Sequence, residues 1–377
     1  MPTTSIEAAE TDGRAHSPRF IQRQLSGLHK ALADNSRALQ SAIIADTHVS
    51  QEEAQVEFAL AISAVRELYV SVDVDASLAE EYRIACGEDW RSRRVPVGIV
   101  YIRPQSQSFL FSVVSPLASA IAAGNCVVVE VGVFTPWTRQ NVLTMVTQFK
   151  NSLQEVPRVL RGALSGSLDH DTFAIVESTP SDPAFKKHCI IVDQTRTVNE
   201  GFPATLRAPS GDLRSIAVVD RSSDIVTAAR HIVQARTAFQ GHSAYAPDLV
   251  LVNEFALAEF VEAAVASFTK QISGFHRVYE SEEKILKPRR KEKEDVLSNS
   301  ERTDPGTTVV LDGDRGAIVK VTNRCAFSRM KRRLICFDRL LNVCRKLAIL
   351  QKKITNPTLV IHPISSLDDA IDFANAS

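Results

Sequence analysis

Short apolar segments alternate with helix-forming segments through most of the chain, and this alternation constrains its fold more than any other feature. Six segments have the length and composition of buried strands: PVGIVYI (96–102), CVVVEV (126–131), FAIVES (173–178), CIIVD (189–193), SIAVVD (215–220) and LVLVN (249–253). Strands that are apolar on both faces and separated by helices form parallel sheets covered on both sides. The sequence therefore predicts an α/β protein with a doubly wound parallel sheet.

Helix-start signals support this interpretation of the intervening segments. Pro18 after Ser17 is typical of a first helical position, and Ser50 with Glu53 has the pattern of a capping box. Residues 1–16 are polar and acidic, and we expect them to be disordered. The other helices are predicted over residues 109–124, 135–149, 224–239 and 254–272.

Charge and cysteine content exclude several classes of function. The 377 residues include 44 Lys and Arg against 44 Asp and Glu, whereas a nucleic-acid surface would need a basic excess. No apolar segment reaches membrane-spanning length, and the N-terminus lacks the apolar core of a secretory signal. The six cysteines have no metal-binding spacing. We therefore expect a cytoplasmic protein with no metal site, no nucleic-acid partner and no transmembrane segment.

Four segments, taken in order, resemble the aldehyde dehydrogenase superfamily. They are residues 95–136, SLDHDTFAIVE (167–177), GHSAYAPDLVLVN (241–253) and SSLDDAIDFAN (365–375). The short N-terminus is similar to that of the fatty-aldehyde-type branch. The resemblance implies oxidation of a small-molecule aldehyde to an acid, with NAD or NADP as the cofactor.

The resemblance also implies a division into two domains. A Rossmann-like cofactor domain with an N-terminal helix pair would occupy residues 17–222, and a catalytic-type α/β domain residues 223–377. Basic insertions are expected at 284–306 and 324–346, and the second is equally compatible with a gene-model artefact. Because family members continue past the SLDDAI helix, we expect the catalytic domain to be truncated. Its exposed strand edges would then need cover from a protein partner.

The family reaction requires a thiolate that attacks the aldehyde, and the resemblance places that cysteine at Ala244. A methyl group cannot act as a nucleophile. Ser243 is a weak substitute, because a serine needs an adjacent base to become nucleophilic. His242 precedes it, but successive residues usually point in different directions, so both are expected to be ordinary loop residues.

The other catalytic positions have also changed. The family's general base falls on Ser210, and Asp212 is the only nearby carboxylate that could replace it. The side-chain amide that stabilises the oxyanion falls on Ser106. No catalytic residue of the family is therefore expected to be intact.

The cofactor positions are altered as well. The family lysine that holds the adenosine ribose falls on Glu130; a carboxylate can bind a ribose diol but would reject a 2′-phosphate, which favours NAD over NADP. A glycine of the pyrophosphate turn falls on Gln194, whose side chain would crowd the phosphates. The glutamate that clamps the nicotinamide ribose falls on Lys353.

Scaffold residues of the family are present in this chain, whereas its chemical residues are absent. This pattern favours an aldehyde dehydrogenase-like pseudoenzyme without catalytic activity. Two alternatives remain open from the sequence. One is an active auxiliary oxidoreductase that acts on an aldehyde intermediate of a small-molecule, secondary-metabolite type pathway. The other is an accessory or scaffold subunit that binds an active partner.

Overall fold

The chain forms two compact units, Met1–Gly211 and Asp212–Ser377, each built around one five-stranded sheet. The structure is a computed structural model. It describes residues 2–88, 95–105, 108–131, 155–177, 185, 188–195, 206–207, 214–241, 243, 245–282, 307–313, 316–321, 348–351, 353–354 and 356–376. The helix predicted over 135–149 and the two basic insertions lie outside the described residues.

The described elements are as follows. The helices are α1 Pro2–Thr11, α2 Pro18–Asp34, α3 Ser36–Thr47, α4 Gln51–Ser71, α5 Val74–Ala85, α6 Phe109–Ala122, α7 Glu155–Ser165, α8 Ile225–Thr237, α9 Leu257–Glu282, α10 Ala348–Gln351 and α11 Leu367–Ala376. The strands are β1 Ile99–Arg103, β2 Cys126–Glu130, β3 Phe173–Val176, β4 Cys189–Asp193, β5 Leu206–Arg207, β6 Ile216–Val219, β7 Leu249–Asn253, β8 Thr307–Gly313, β9 Gly316–Val321 and β10 Thr358–Ile364. None of these described helices is long and apolar enough to cross a membrane.

The first sheet has the strand order β3-β2-β1-β4-β5, and all its pairs are parallel. Ile99 of β1 pairs with Cys126 of β2 on one side and with Cys189 of β4 on the other. From β1 the chain proceeds through β2 to β3, and it then crosses to the opposite side for β4 and β5. The boundary between β1 and β4 is therefore the topological switch point. The predicted doubly wound parallel sheet is confirmed.

The second sheet has the order β6-β7-β10-β9-β8, with β8 antiparallel to β9 and the other pairs parallel. Helices cover both of its faces. Val250 packs with Ala229 of α8 and Phe260 of α9, whereas its neighbour Leu251 packs in a second cluster with Phe373 of α11. This alternation follows from the two-residue period of a strand.

The unit boundary differs from the expected one between residues 222 and 223. Ile216 of β6 pairs with Leu249 of β7, so this strand belongs to the second sheet. The structure accordingly divides between Gly211 and Asp212. A boundary placed after β6 would separate two hydrogen-bonded strands.

Residues 2–16 are ordered around a helix, which corrects the expectation of disorder. Helix α1 is followed by a 3-10 turn at Arg14–His16, and Ile6 is fully buried with 0% exposure. Ser5 Oγ donates to Asp171 Oδ1 at 2.9 Å, and Arg14 forms an ion pair with the same carboxylate. These distant contacts stabilise a segment whose own composition gives little indication of structure.

The structure confirms some of the capping interactions that the sequence predicts at the helix starts. Glu53 N donates to Ser50 Oγ at 3.2 Å and Ser50 N donates to Glu53 Oε2 at 3.0 Å, so the capping box is confirmed. Pro18 occupies the first turn of α2, although Ser17 makes no side-chain capping bond. Gly124 follows α6 with φ 76°, a left-handed conformation that suits glycine.

Candidate functional site

Three charged residues end three neighbouring strands of the first sheet. Glu130 ends β2, Arg103 ends β1 and Asp193 ends β4, with Arg103 paired in register with Asp193. Arg103 Nη1 lies 2.7 Å from Asp193 Oδ2, and its Nε lies 3.2 Å from Glu130 Oε2. Tyr101 Oη also donates to Glu130 Oε2, at 2.6 Å. We call Glu130, Arg103 and Asp193 the edge triad; it carries two carboxylates and one guanidinium.

Gln194 directly follows β4 and connects it to two neighbouring elements. Its backbone N–H donates to the Arg103 carbonyl at 2.9 Å, and its side-chain Nε2 donates to the Ser112 carbonyl at 2.8 Å. In a helix the Ser112 carbonyl would accept from the residue four positions later, but that residue is Pro116, which has no N–H. Gln194 therefore donates to a carbonyl of α6 that lacks its usual donor four residues later in the helix.

Glu57 of α4 is buried against the start of α6, with 3% exposure. Its Oε1 accepts the Phe111 N–H at 3.3 Å. Burial raises the pKa of Glu57 from its ordinary 4.5 to about 7, while backbone hydrogen bonds from Phe111 and Leu110 act in the opposite direction. Glu57 is not among the residues singled out from the sequence. The sequence pattern that could have indicated its burial is that Glu57 lies four residues before Ala61, on the buried side of α4.

In the second unit, the loop before β7 begins at a closely packed glycine. Gly241 has φ 74°, and a β-carbon there would lie 2.6 Å from Pro357 N, just before β10. Ser243 Oγ accepts the Tyr245 N–H at 3.3 Å, a local bond that supports the turn. The Tyr245 side chain is 89% exposed.

Asp248, next to this loop, forms ion pairs and hydrogen bonds with four other residues. Its side chain is 1% exposed and lies 2.6 Å from Lys353 Nζ and 3.3 Å from Arg236 Nη1. It also accepts backbone N–H groups from Ser215 at 2.9 Å and from Ile354 at 3.1 Å. Burial lowers the pKa of the Arg236 guanidinium, and the charge of Asp248 opposes that shift. Lys353 is therefore part of a buried ionic network that joins the segments before β6, β7 and β10.

The structure thus gives the positions of four of the candidate site residues singled out from the sequence. Glu130 and Gln194 lie at the same edge of the first sheet, and Ser243 and Lys353 lie in the segments that precede β7 and β10. Within the described ranges, no group of three or more His, Cys, Asp or Glu could hold a metal ion. The remaining positions lie outside the described residues, namely Ala244, His242, Ser106, Ser210 and Asp212.

Comparison with known proteins decides the family. The sequence model of the aldehyde dehydrogenase family matches residues 5–377. The chain belongs to the aldehyde dehydrogenase family. Curated relatives include aldehyde dehydrogenase family 3 member B1 of Rattus norvegicus, 24% identical over 98% of this chain and 74% of that protein. The same enzyme of Bos taurus is 26% identical, and the match covers 70% of this chain and 56% of the bovine protein.

Solved structures of aldehyde dehydrogenases share the fold. The gamma-glutamyl-gamma-aminobutyraldehyde dehydrogenase of Burkholderia cenocepacia has a TM-score of 0.68 at 15% identity, over 100% of this chain and 73% of that one. A mutant of aldehyde dehydrogenase C from Pseudomonas syringae, in complex with NAD+ and octanal, has a TM-score of 0.66 at 16% identity, over 99% and 73% of the two chains. The α/β architecture is therefore that of the aldehyde dehydrogenase family.

At the positions that the resemblance assigns to the cofactor, the chemistry of the residues present does not match that of a nicotinamide dinucleotide site. Glu130 replaces a cation with a carboxylate and is in contact with Arg103 and Tyr101. Gln194 replaces a glycine, and its side chain is bonded to α6 where the phosphates would need close access to the backbone. Lys353 replaces a glutamate and pairs with Asp248. The described side chains at these positions all interact with the protein itself.

Proposed function

We propose that this protein is a non-catalytic member of the aldehyde dehydrogenase family that acts as a binding or accessory protein. The observation that carries the proposal is the contact between Lys353 Nζ and Asp248 Oδ2 at 2.6 Å. The resemblance assigns the position of Lys353 to a glutamate that holds the cofactor. Here the side chain has the opposite charge and neutralises a buried carboxylate instead.

The loss of the nucleophile supports the same proposal. Aldehyde oxidation in this family needs a thiolate, and the matching position is Ala244. Ser243 directly precedes this position, and its Oγ accepts a hydrogen bond from the backbone N–H of Tyr245. A serine nucleophile would in addition have to donate its own proton to an adjacent base. The local bond from Tyr245 supports a role for Ser243 in the turn.

An accessory role is supported by apolar side chains on the second unit. Strand β6 ends the described order of its sheet and exposes 43% of Val218. Helix α11 contacts β6 and exposes Leu367 by 54% and Ile371 by 49%. Exposed apolar groups next to a strand edge are typical of an interaction surface. Under this proposal the partner is an active member of the same family.

The test of catalysis is aldehyde-dependent reduction of NAD+ and NADP+, followed by the absorbance of the reduced nicotinamide. The aldehydes should include long-chain and aromatic examples such as octanal and benzaldehyde. We expect no rate above that of the heat-denatured protein, while a family member with an intact cysteine oxidises the same aldehydes. Turnover that is abolished by denaturation would contradict the proposal.

The accessory role has a separate test. An active family member is co-expressed with the wild-type protein or with Val218→Glu, and complexes are separated by size-exclusion chromatography. We expect a complex with the wild-type protein only, because a carboxylate at this strand would be buried without a partner charge. Glu262→Gln is the control, because Glu262 is exposed on α9, which packs in the other core cluster from α11. Separate elution of the wild-type protein and its candidate partner would contradict the accessory role.

A further inference from the structure

We infer that the Gln194 side chain fills the site at the switch point of the first sheet where a dinucleotide would bind. It bridges the segment after β4 and helix α6, and this bridge, which we call the strap, excludes nicotinamide dinucleotides. In open α/β sheets the ligand crevice lies outside the carboxyl ends of the strands, where the strand order reverses. Here that place is the boundary between β1 and β4.

The backbone of Gln194 lies directly at this boundary. Arg103 and Asp193 are the last paired residues of β1 and β4. The next hydrogen bond runs from Gln194 N to the Arg103 carbonyl at 2.9 Å, so the pairing continues one residue beyond the strands. The Gln194 side chain therefore starts where the crevice would open.

The side chain then extends to α6, the helix that follows β1. Its Nε2 donates to the Ser112 carbonyl at 2.8 Å, which joins the segment after β4 to the helix after β1. In doubly wound folds these two connections diverge at the switch point, and their divergence creates the crevice. A side chain that bridges them fills the space that the phosphates of a dinucleotide would require.

The bond to Ser112 is specific, because Pro116 makes this carbonyl available. Ser112 is 1% exposed, and Pro116 cannot supply the N–H that would normally bond its carbonyl. Displacing Gln194 would leave a buried carbonyl without this donor, and an unsatisfied buried acceptor is costly. A ligand would have to compensate for that loss before it could bind.

The charge of the edge triad also disfavours a dinucleotide at this site. The edge triad carries two carboxylates against one guanidinium, which leaves one net negative charge at the carboxyl ends of the strands. The start of α6 could otherwise attract an anion, but it already lies against the Glu57 carboxyl group, which accepts the Phe111 N–H. A pyrophosphate would therefore meet a negative edge and a helix start that is already capped.

Calorimetric titration with NAD+ and NADP+ tests this inference without any need for turnover. The wild-type protein is compared with Gln194→Gly, which restores the family residue, and with Gln194→Ala as a second variant. Gln22→Ala is the matched control. Gln22 Nε2 also donates to a carbonyl, that of Val72 at 3.0 Å, but does so away from the switch point.

We expect no saturable heat from the wild-type protein or Gln22→Ala at NAD+ concentrations up to about 1 mM. Gln194→Gly should bind NAD+ at least about tenfold more tightly than the limit set by the wild-type protein. Saturable binding of either dinucleotide by the wild-type protein would overturn the inference without any variant. The inference would also be overturned if neither Gln194 variant showed saturable binding while circular dichroism showed both variants to be folded.

The outcomes separate this inference from the proposed function. Dinucleotide binding by the wild-type protein without aldehyde oxidation would overturn the strap and leave the non-catalytic proposal intact. Aldehyde oxidation by the wild-type protein would overturn both. Gain of binding in Gln194→Gly without gain of turnover is the combination that both predict, because Ala244 still supplies no nucleophile.

Discussion

Lys353 Nζ lies 2.6 Å from Asp248 Oδ2, and this ion pair connects the segments that precede β7 and β10. Asp248 is also the partner of Arg236, whose side chain is 1% exposed. One carboxylate thus pairs with two cations inside the second unit. Lys353, at a position that the resemblance assigns to cofactor binding, thus forms an ion pair within the protein.

Asp248→Asn should destabilise the second unit by about 3–5 kcal/mol, because it leaves Arg236 buried without a counter-charge. Urea denaturation measures the loss. Asp372→Asn, at an exposed position on α11, is the control and should leave the transition unchanged. Equal midpoints for the two variants would show that the Asp248 network does not hold the unit together.

Glu57 should make the stability of the first unit depend on pH. Its pKa is raised from 4.5 to about 7, so the folded state binds more protons than the unfolded state between these values. The free energy of unfolding should therefore fall by about 3 kcal/mol as the pH rises through this window, and level off above it. Urea denaturation over a pH series measures the slope.

The matched variants for this prediction lie on the same helix. Glu57→Gln keeps an acceptor for the Phe111 N–H but cannot ionise, so the decrease in stability between pH 4.5 and about 7 should be smaller. Glu67→Gln changes an exposed residue of α4 and should preserve the wild-type slope. An unchanged slope in Glu57→Gln would mean that other groups cause the pH dependence.

Gly241→Ala should destabilise the second unit by about 1–3 kcal/mol. Its φ is 74°, and the added β-carbon would lie 2.6 Å from Pro357 N, a backbone atom with little freedom to move. Gly162→Ala is the opposite case, because its β-carbon would have no neighbour within 4 Å and it lies inside α7. Thermal melting should show a loss for the first variant and a gain of about 0.4–1 kcal/mol for the second. A neutral Gly241→Ala would contradict the close contact of these loops.

Arg103→Met should destabilise the first unit by about 3–5 kcal/mol, because Asp193, 2% exposed, would lose its counter-ion. Arg161→Met removes the exposed ion pair with Glu177 and should leave stability nearly unchanged. Chemical denaturation of the two variants compares the pairs directly. Similar small effects would indicate that the edge triad contributes little to the fold.

The sequence predicts four strands of the first sheet, β1 to β4, and their parallel pairing, because each is a short apolar segment in an alternating α/β pattern. It does not predict β5, which is described over only two residues. It does not predict the edge triad, because contacts among the last residues of β2, β1 and β4 depend on the register between strands distant in sequence. The same holds for Gln194. Its partner carbonyl is defined by Pro116 in a helix that precedes it by many residues.

Helix α1 and the strand pair β8 and β9 were not predicted, for different reasons. Helix α1 has a polar sequence, and tertiary contacts such as those of Ile6 and Ser5 hold it in place. Strands β8 and β9 do carry a local signal, TTVVLDGDRGAIVKV, in which turn residues separate two β-branched segments. Strands β8 and β9 could therefore be predicted from the sequence, whereas helix α1 depends on contacts that exist only in the folded structure.

The central claim, that no nucleophile attacks an aldehyde in this protein, is tested most directly by intact-protein mass spectrometry. The protein is incubated with octanal and NAD+, quenched in acid and weighed. We predict an unchanged mass, because Ala244 cannot form an acyl intermediate and the Ser243 hydroxyl accepts a local hydrogen bond in the turn. An acyl adduct that maps to the peptide containing residues 241–253 would contradict it.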